Sequence, residues 1–362
     1  MGCDAKKINE INIGYIAPLS VRATDLGVAP ANAMKLAVEK YNSNRLANQP
    51  KVNLHIKDGK WDKENAVSAY DELKKNHNID ILYISNTDGT LALQEKILKD
   101  RVILVNPLNN GDIFSSLNKN TFNIAKSTEE SNGLIATRLI ELKHKKVVLF
   151  QYPNNFMSRA SKEVKRLLDE SKVEIKIIVV EKENTDFIEQ LKKLQKQNYD
   201  AYIFFGYNEF GYAMKQARDL NITAPFFGAA SLLDFKFYEN SQGEIIGTEF
   251  PFFTPSDGNN VLANEFLKAY ANKFGKKPSS VWPPMQAYDA INTVLSQLKT
   301  INTSKDKDQY FDDWLREKMY NIVYYQGVCG NIAITENGTS KGIYFSLYNY
   351  QSKDKPFEKV KR

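Results

Sequence analysis

The feature that most constrains the fold is an alternation, sustained over most of the chain, of short apolar runs with amphipathic stretches of helical period. Runs at 11–17, 52–58, 81–85, 102–105, 146–151, 175–180, 201–206 and 225–228 have strand length and end in turn-forming residues. Between them, Met34, Ala37, Val38 and Tyr41 fall at i, i+3, i+4 and i+7, as do Ala66, Ala69, Tyr70 and Leu73, so each segment buries one helical face. Strands separated by helices pair in parallel through crossovers, and the expected class is α/β, mainly parallel sheets flanked by helices.

With 362 residues, 42% of them hydrophobic and 25% charged, the chain has material for two cores. A repeat points the same way. Lys63-Glu64-Asn65, a helical stretch and Asp80 ahead of the run at 81 recur as Lys182-Glu183-Asn184, a helical stretch and Asp200 ahead of the run at 201. The repeat implies two similar lobes; the other reading is a coincidence of Lys/Glu-rich helices. After Phe250, Pro251 and Pro255 interrupt the pattern, helices follow at 262–274 and 285–298, and strands around Gly338 close the chain. The expected division is a disordered or lipid-anchoring N-terminus at 1–10, a first lobe of 11–125 plus 252–327, and a second of 126–251 plus 328–362. Crossings near Ala125, Pro251 and Gly327 would make a three-stranded hinge.

The formal net charge of +6 comes from scattered lysines, most faced by nearby acids, and does not call for nucleic acid as a partner. The densest basic run, Lys353 to Arg362, reads as a solvated tail or an anionic-surface contact. No apolar run approaches the roughly 18 residues of a membrane span. Of the two cysteines, Cys329 belongs to no pair or cluster, and Cys3, after Gly2 and before a polar segment, reads either as a lipid-attachment residue or as a leftover thiol. No metal or cofactor is expected. The three histidines, His55, His77 and His144, lie in strand or polar surface contexts, and no nucleophile elbow, phosphate loop or HExxH helix occurs, so no catalytic residue and no enzyme activity are expected.

Ile13-Gly14-Tyr15-Ile16-Ala17-Pro18-Leu19-Ser20 with Gly27, Asp58 with Asn65-Ala66-Val67, Ile103-Leu104-Val105-Asn106-Pro107, Gly206-Tyr207-Asn208-Glu209, and Val281-Trp282 with Ala287-Tyr288-Asp289-Ala290 stand in an order that resembles type 1 periplasmic solute-binding proteins of the branched-chain amino-acid-binding kind. The resemblance covers nearly the whole chain. It implies a monomeric extracytoplasmic receptor, held at the membrane at most by an N-terminal lipid, that encloses a small polar solute between two lobes and delivers it to an ABC permease. Independently, open parallel sheets place ligands beyond the carboxyl ends of their strands. There, Asn86-Thr87-Asp88-Gly89-Thr90 offers hydroxyls and a helix start.

By the resemblance, Thr87 and Asp88 would hold a ligand carboxylate, and Leu108, Asn109 and Asn110 a polar head. Phe156 would form an aromatic wall and Tyr207 a cover. Trp61 would either line the same site or simply pack. One departure bears on the solute: where amino-acid-binding members carry an acid that pairs with the ligand ammonium, this chain has Ala230. A buried ammonium without a partner costs several kcal/mol, so Glu209 or Asp234 would have to compensate. The competing expectation is an envelope lipoprotein regulator that uses the same fold to bind a protein.

Overall fold

The computed structural model describes residues 9–20, 23–115, 117–181, 183–253, 260–278, 280–301, 310–354 and 358–360. Cys3, with its expected lipid-attachment role, lies outside the described residues. The chain divides into two units, the first comprising 1–126, 261–278 and 283–343, the second 127–260, 279–282 and 344–362. Residues 328–343 therefore group with the first unit, and 252–260 with the second, where the sequence had suggested the reverse.

In the first unit, β1 (Glu10–Ala17), α1 (Val28–Asn44), β2 (Lys51–Asp58), α2 (Lys63–His77), β3 (Ile81–Ile84), α3 (Thr87–Ala92), α4 (Gln94–Lys99), β4 (Ile103–Asn106) and β5 (Thr121–Asn123) follow in order. In the second come α5 (Thr128–Glu141), β6 (Lys146–Gln151), α6 (Asn155–Glu170), β7 (Glu174–Val179), α7 (Ile188–Gln195), β8 (Ala201–Phe205), α8 (Phe210–Asp219), β9 (Phe226–Gly228), α9 (Phe235–Ser241) and β10 (Glu249–Phe253). Then α10 (Val261–Phe274), α11 (Trp282–Leu298), α12 (Phe311–Tyr320), β11 (Tyr325–Gln326), β12 (Asn331–Ile334), β13 (Ser340–Lys341), β14 (Phe345–Asn349) and β15 (Glu358–Lys359) complete the chain.

The first sheet runs β2-β1-β3-β4-β5, all parallel. The second repeats that order as β7-β6-β8-β9-β10, then adds β14 and β15 antiparallel at its edge. The repeat read from the sequence has a physical content here. Asp80, ahead of β3, accepts a hydrogen bond from Asn12 N on β1 (2.8 Å), and Asp200, ahead of β8, accepts one from Lys146 N on β6 (2.9 Å). Each aspartate pins the start of its unit's central strand. The Lys-Glu-Asn triplets are not equivalent, because Lys63-Glu64-Asn65 opens α2 whereas Glu183 takes a left-handed turn and α7 starts only at Ile188.

Central strands covered on both faces lose the polar alternation of half-exposed ones, and all residues of β3, β4 and β8 are buried. Ala66, Tyr70 and Leu73 of α2 pack on Leu82, Ile84 and Leu104. In the second unit Ile135, Ala160, Val164 and Leu168 pack on Val147, Leu149 and Ile203. Side-chain caps fix the helix starts: Asp62, Asn86, Ser127 and Asn154 accept from the backbone three residues on, each contact stabilising its helix by about 1 kcal/mol. Among the described residues no helix is long and apolar enough to cross a membrane, and no group of three His, Cys, Asp or Glu could hold a metal ion.

Candidate functional site

Parallel order brings the loops that follow β1, β2, β3 and β4 to the carboxyl end of the first sheet. Asp58, the last residue of β2, accepts hydrogen bonds from Leu19 N (2.9 Å), Lys60 N (2.9 Å) and the Ser20 hydroxyl. These bonds hold its carboxyl below the usual range against the opposing effect of burial. The turn that follows places Lys60 and Trp61 both at positive φ (47° and 56°). Two adjacent non-glycine residues in that region carry backbone strain, which concentrates at functional sites. Of the three tryptophans, Trp282 and Trp314 are buried and Trp61 is partly exposed.

After β3, Asn86 accepts from Gly89 N (2.7 Å), and the Thr90 hydroxyl donates back to Asn86 O (2.7 Å). Thr90 is fully buried and committed to this turn; Thr87 is 8% exposed and Asp88 lies at the surface. Helix α3 is only six residues long, so its dipole adds little to what the Thr87 hydroxyl and the first amides can offer an anion.

The loop after β4 is organised by a residue the sequence reading did not single out for a role. Asn106 is fully buried; its Oδ1 accepts from Leu108 N (3.1 Å) and Asn109 N (3.0 Å), and its Nδ2 donates to Thr90 Oγ1 (2.9 Å). Asn109 Nδ2 donates to Ser85 O (3.0 Å), and Ser85 Oγ lies 2.6 Å from the Tyr15 hydroxyl. The two loops are thus welded by a continuous polar chain. Asn110 donates through Nδ2 to Ser340 O (2.9 Å) and Ala125 O (3.3 Å), while its Oδ1 accepts from Gly111 N (2.8 Å). Its amide is spent on the scaffold, and the Leu108 side chain is buried. On this loop the open polar atom of the expected set is Asn109 Oδ1.

In the second unit, Tyr152 follows β6 and Tyr207 follows β8, and their rings meet edge to face at 5.0 Å. Asn154, which caps α6, donates through Nδ2 to the Tyr207 hydroxyl (3.1 Å). Tyr152, Phe156 and Tyr207 each pack, partly exposed, against the core of this unit, and the ring contact joins Tyr152 to Tyr207. Ala230, in the short turn after β9, is 1% exposed; its methyl group is packed away. Burial pushes the carboxyls of Glu209 and Asp234 upward, with Glu183 adding to the shift at Glu209. Asp234 is also occupied in capping α9 through Lys236 N (2.9 Å).

The sequence profile of the periplasmic binding protein family matches residues 10–353. No curated protein matches the chain. Among solved structures, a leucine-binding protein of Thermotoga maritima superposes with a TM-score of 0.82 at 19% identity, over 96% of this chain and 97% of its own. The branched-chain amino-acid transporter substrate-binding protein of Streptococcus pneumoniae, in complex with isoleucine, gives 0.79 at 21% identity over 96% and 98%. An ABC-transporter solute-binding protein of Rhodopseudomonas palustris, in complex with 3,4-dihydroxybenzoic acid, gives 0.84 at 19% over 97% and 96%. The α/β architecture is thus that of type I periplasmic binding proteins.

Proposed function

Because the chain belongs to the periplasmic binding protein family, we propose that it is a non-enzymatic extracytoplasmic receptor, one that binds a small carboxylate-bearing solute and delivers it to an ABC permease. The observation that carries this reading is family membership over nearly the whole chain, joined to two sheets of equal strand order with polar or aromatic side chains beyond their carboxyl ends. Leucine, isoleucine and dihydroxybenzoate, the solutes named for the relatives, share a carboxylate. In this chain the Thr87 hydroxyl is the candidate donor to that group, and Tyr152, Phe156 and Tyr207 are the candidate apolar wall. Ala230, at the position where the resemblance expects an acid, disfavours a solute with an α-ammonium. Closure over the solute would follow from its differential affinity for the shut state.

Mass spectrometry of small molecules released by denaturing the purified protein tests the reading. A carboxylate without an α-amino group is the expected product. A recovered zwitterionic amino acid would overturn the argument from Ala230. Absence of any released solute, together with no compaction in small-angle scattering when a panel of carboxylates is added, would overturn the receptor assignment itself. Trp61 supplies a separate optical check. Its emission is expected to shift when the recovered solute is returned to the stripped protein, and Trp61→Phe to abolish the shift; an unchanged shift in that variant would remove Trp61 from the solute wall.

A further inference from the structure

Asn109 is a buried side chain, 4% exposed, whose amide has one half in use and one half open. Nδ2 donates to Ser85 O at 3.0 Å. The amide cannot be reversed, because its oxygen would then face the Ser85 carbonyl and the bond would be lost. Asn106 fixes the loop that carries it, accepting from Leu108 N and Asn109 N, and is itself oriented by its donation to Thr90 Oγ1, whose proton goes to Asn86 O. Every polarity in the chain from Asn86 to Ser85 is therefore determined. Asn109 Oδ1 receives no hydrogen bond from a described residue, and it is not among the sealed unpaired atoms such as those of Asn123.

We propose that Asn109 Oδ1 is a specificity-determining atom, and that it selects solutes carrying a neutral hydrogen-bond donor, a hydroxyl or amide N–H, beside the carboxylate. The inference rests on the receptor reading above and narrows it to a class of solute. An amide oxygen accepts and never donates, so the group seated against it must bring the proton. A solute with a hydrocarbon edge or a second carboxylate oxygen there would leave a desolvated acceptor unpaired, and sites built around such a bond reject analogues that lack it. An ammonium also donates, but its full charge would need an acid, and Ala230 stands at the position where the family resemblance expects one.

Isothermal titration with matched pairs differing by hydroxyls, 3,4-dihydroxybenzoate against benzoate and lactate against propionate, tests the proposal, with L-isoleucine as the ammonium-bearing arm. At least one hydroxylated member is expected to bind the wild-type protein roughly tenfold or more tightly than its partner. Asn109→Leu should erase that ratio while leaving the weaker partner's affinity within a few fold. Asn109→Asp, which places a carboxylate oxygen at the same point at the cost of the bond to Ser85 O, should raise the affinity for L-isoleucine relative to the hydroxy acids, a change of preference that the loss of that bond alone would not produce. If Asn109→Leu fails to fold, Asn109→Ser, which withdraws the carbonyl, carries the same comparison.

Equal binding within both pairs, survival of the ratio in the variants, or tighter binding of L-isoleucine by the wild type overturns the proposal. So does a released natural solute with no hydroxyl or amide N–H, and that result leaves the receptor reading intact. No released solute and no binding by any of the five compounds overturns both.

Discussion

The urea midpoint of the protein is expected to fall as pH rises from about 4 to 7 and to recover part of that loss above pH 8, because two buried groups of the first unit titrate outside their usual ranges. Asp289, on α11, accepts from Val328 N (2.7 Å) and Cys329 N (2.8 Å), and Gly327 lies so close that a Cβ there would fall 2.4 Å from its Oδ2. Burial, offset by those two N–H groups and the Cys329 thiol, raises its carboxyl to about 7. Lys126, in the same cluster, is lowered by burial to about 8, with Cys329 opposing the shift. The other titratable groups coupled to the cluster are the Cys329 thiol, Tyr288 and Tyr325, all shifted upward by burial and by Asp289.

A carboxyl whose folded value is raised holds its proton longer folded than unfolded. Its contribution is fully present below the unfolded value near 4 and is lost as pH climbs through about 7. A lysine whose folded value is lowered behaves in the opposite sense: its contribution is present above the unfolded value of 10.5 and is lost as pH falls through about 8. Each shift corresponds to about 3–4 kcal/mol. Stability attributable to the pair is therefore lowest between about pH 7 and 8. Asp289→Asn should flatten the acid limb and Lys126→Met the alkaline one. A wild-type midpoint that is level from pH 4 to 7 would disprove this account of Asp289.

Gly27→Ala is expected to destabilise the protein by roughly 3 kcal/mol or more, the range of overpacking against atoms that cannot move aside. Gly27 is the cap residue from which α1 starts, and a Cβ there would stand 1.8 Å from Pro18 O and 2.5 Å from Pro18 C. Backbone rather than a side-chain tip is in the way, so relief requires the whole loop after β1 to shift. Gly275→Ala provides the contrast. Its φ is +77° and nothing lies within 4 Å of the added carbon, so only backbone strain of about 1 kcal/mol is expected. Denaturant unfolding of the two variants separates the effects; equal losses would mean that the loop after β1 yields freely.

The strands that the sequence made legible are those whose apolar run is uninterrupted. Ile81 to Ile84 and Ala201 to Phe205 are buried on both faces and need no tertiary information to be read. Pro251 made the segment after Phe250 look like a break, yet it lies within β10. The strand touches β9 in register only at Glu249 and pairs with β14 along its length, so a residue without an N–H is tolerated within it. β5, three residues long, is set by its pairing with β4 and offers almost no local pattern.

At the candidate site, composition pointed to the polar loops after β3 and β4 but could not separate side chains with an open polar atom from those that hold the loop. Asn106, Asn109 and Asn110 are chemically identical side chains. Only the positions of Thr90, Ser85 and Ser340, distant in sequence, decide that Asn106 and Asn110 are wholly consumed and Asn109 is half open. The pairing of Asn154 with Tyr207 is likewise a contact across 53 residues that no local pattern announces.

The antiparallel addition of β14 to β10 bears on how the chain is made. Phe250, Phe252 and Phe253 sit on a strand whose outer edge is covered by Phe345–Asn349, nearly a hundred residues later in synthesis. Until Phe345–Asn349 have left the ribosome, an aromatic-rich edge with unpaired backbone groups stays open to other chains. The second unit's sheet can therefore be completed only once β14 has been made, long after β10.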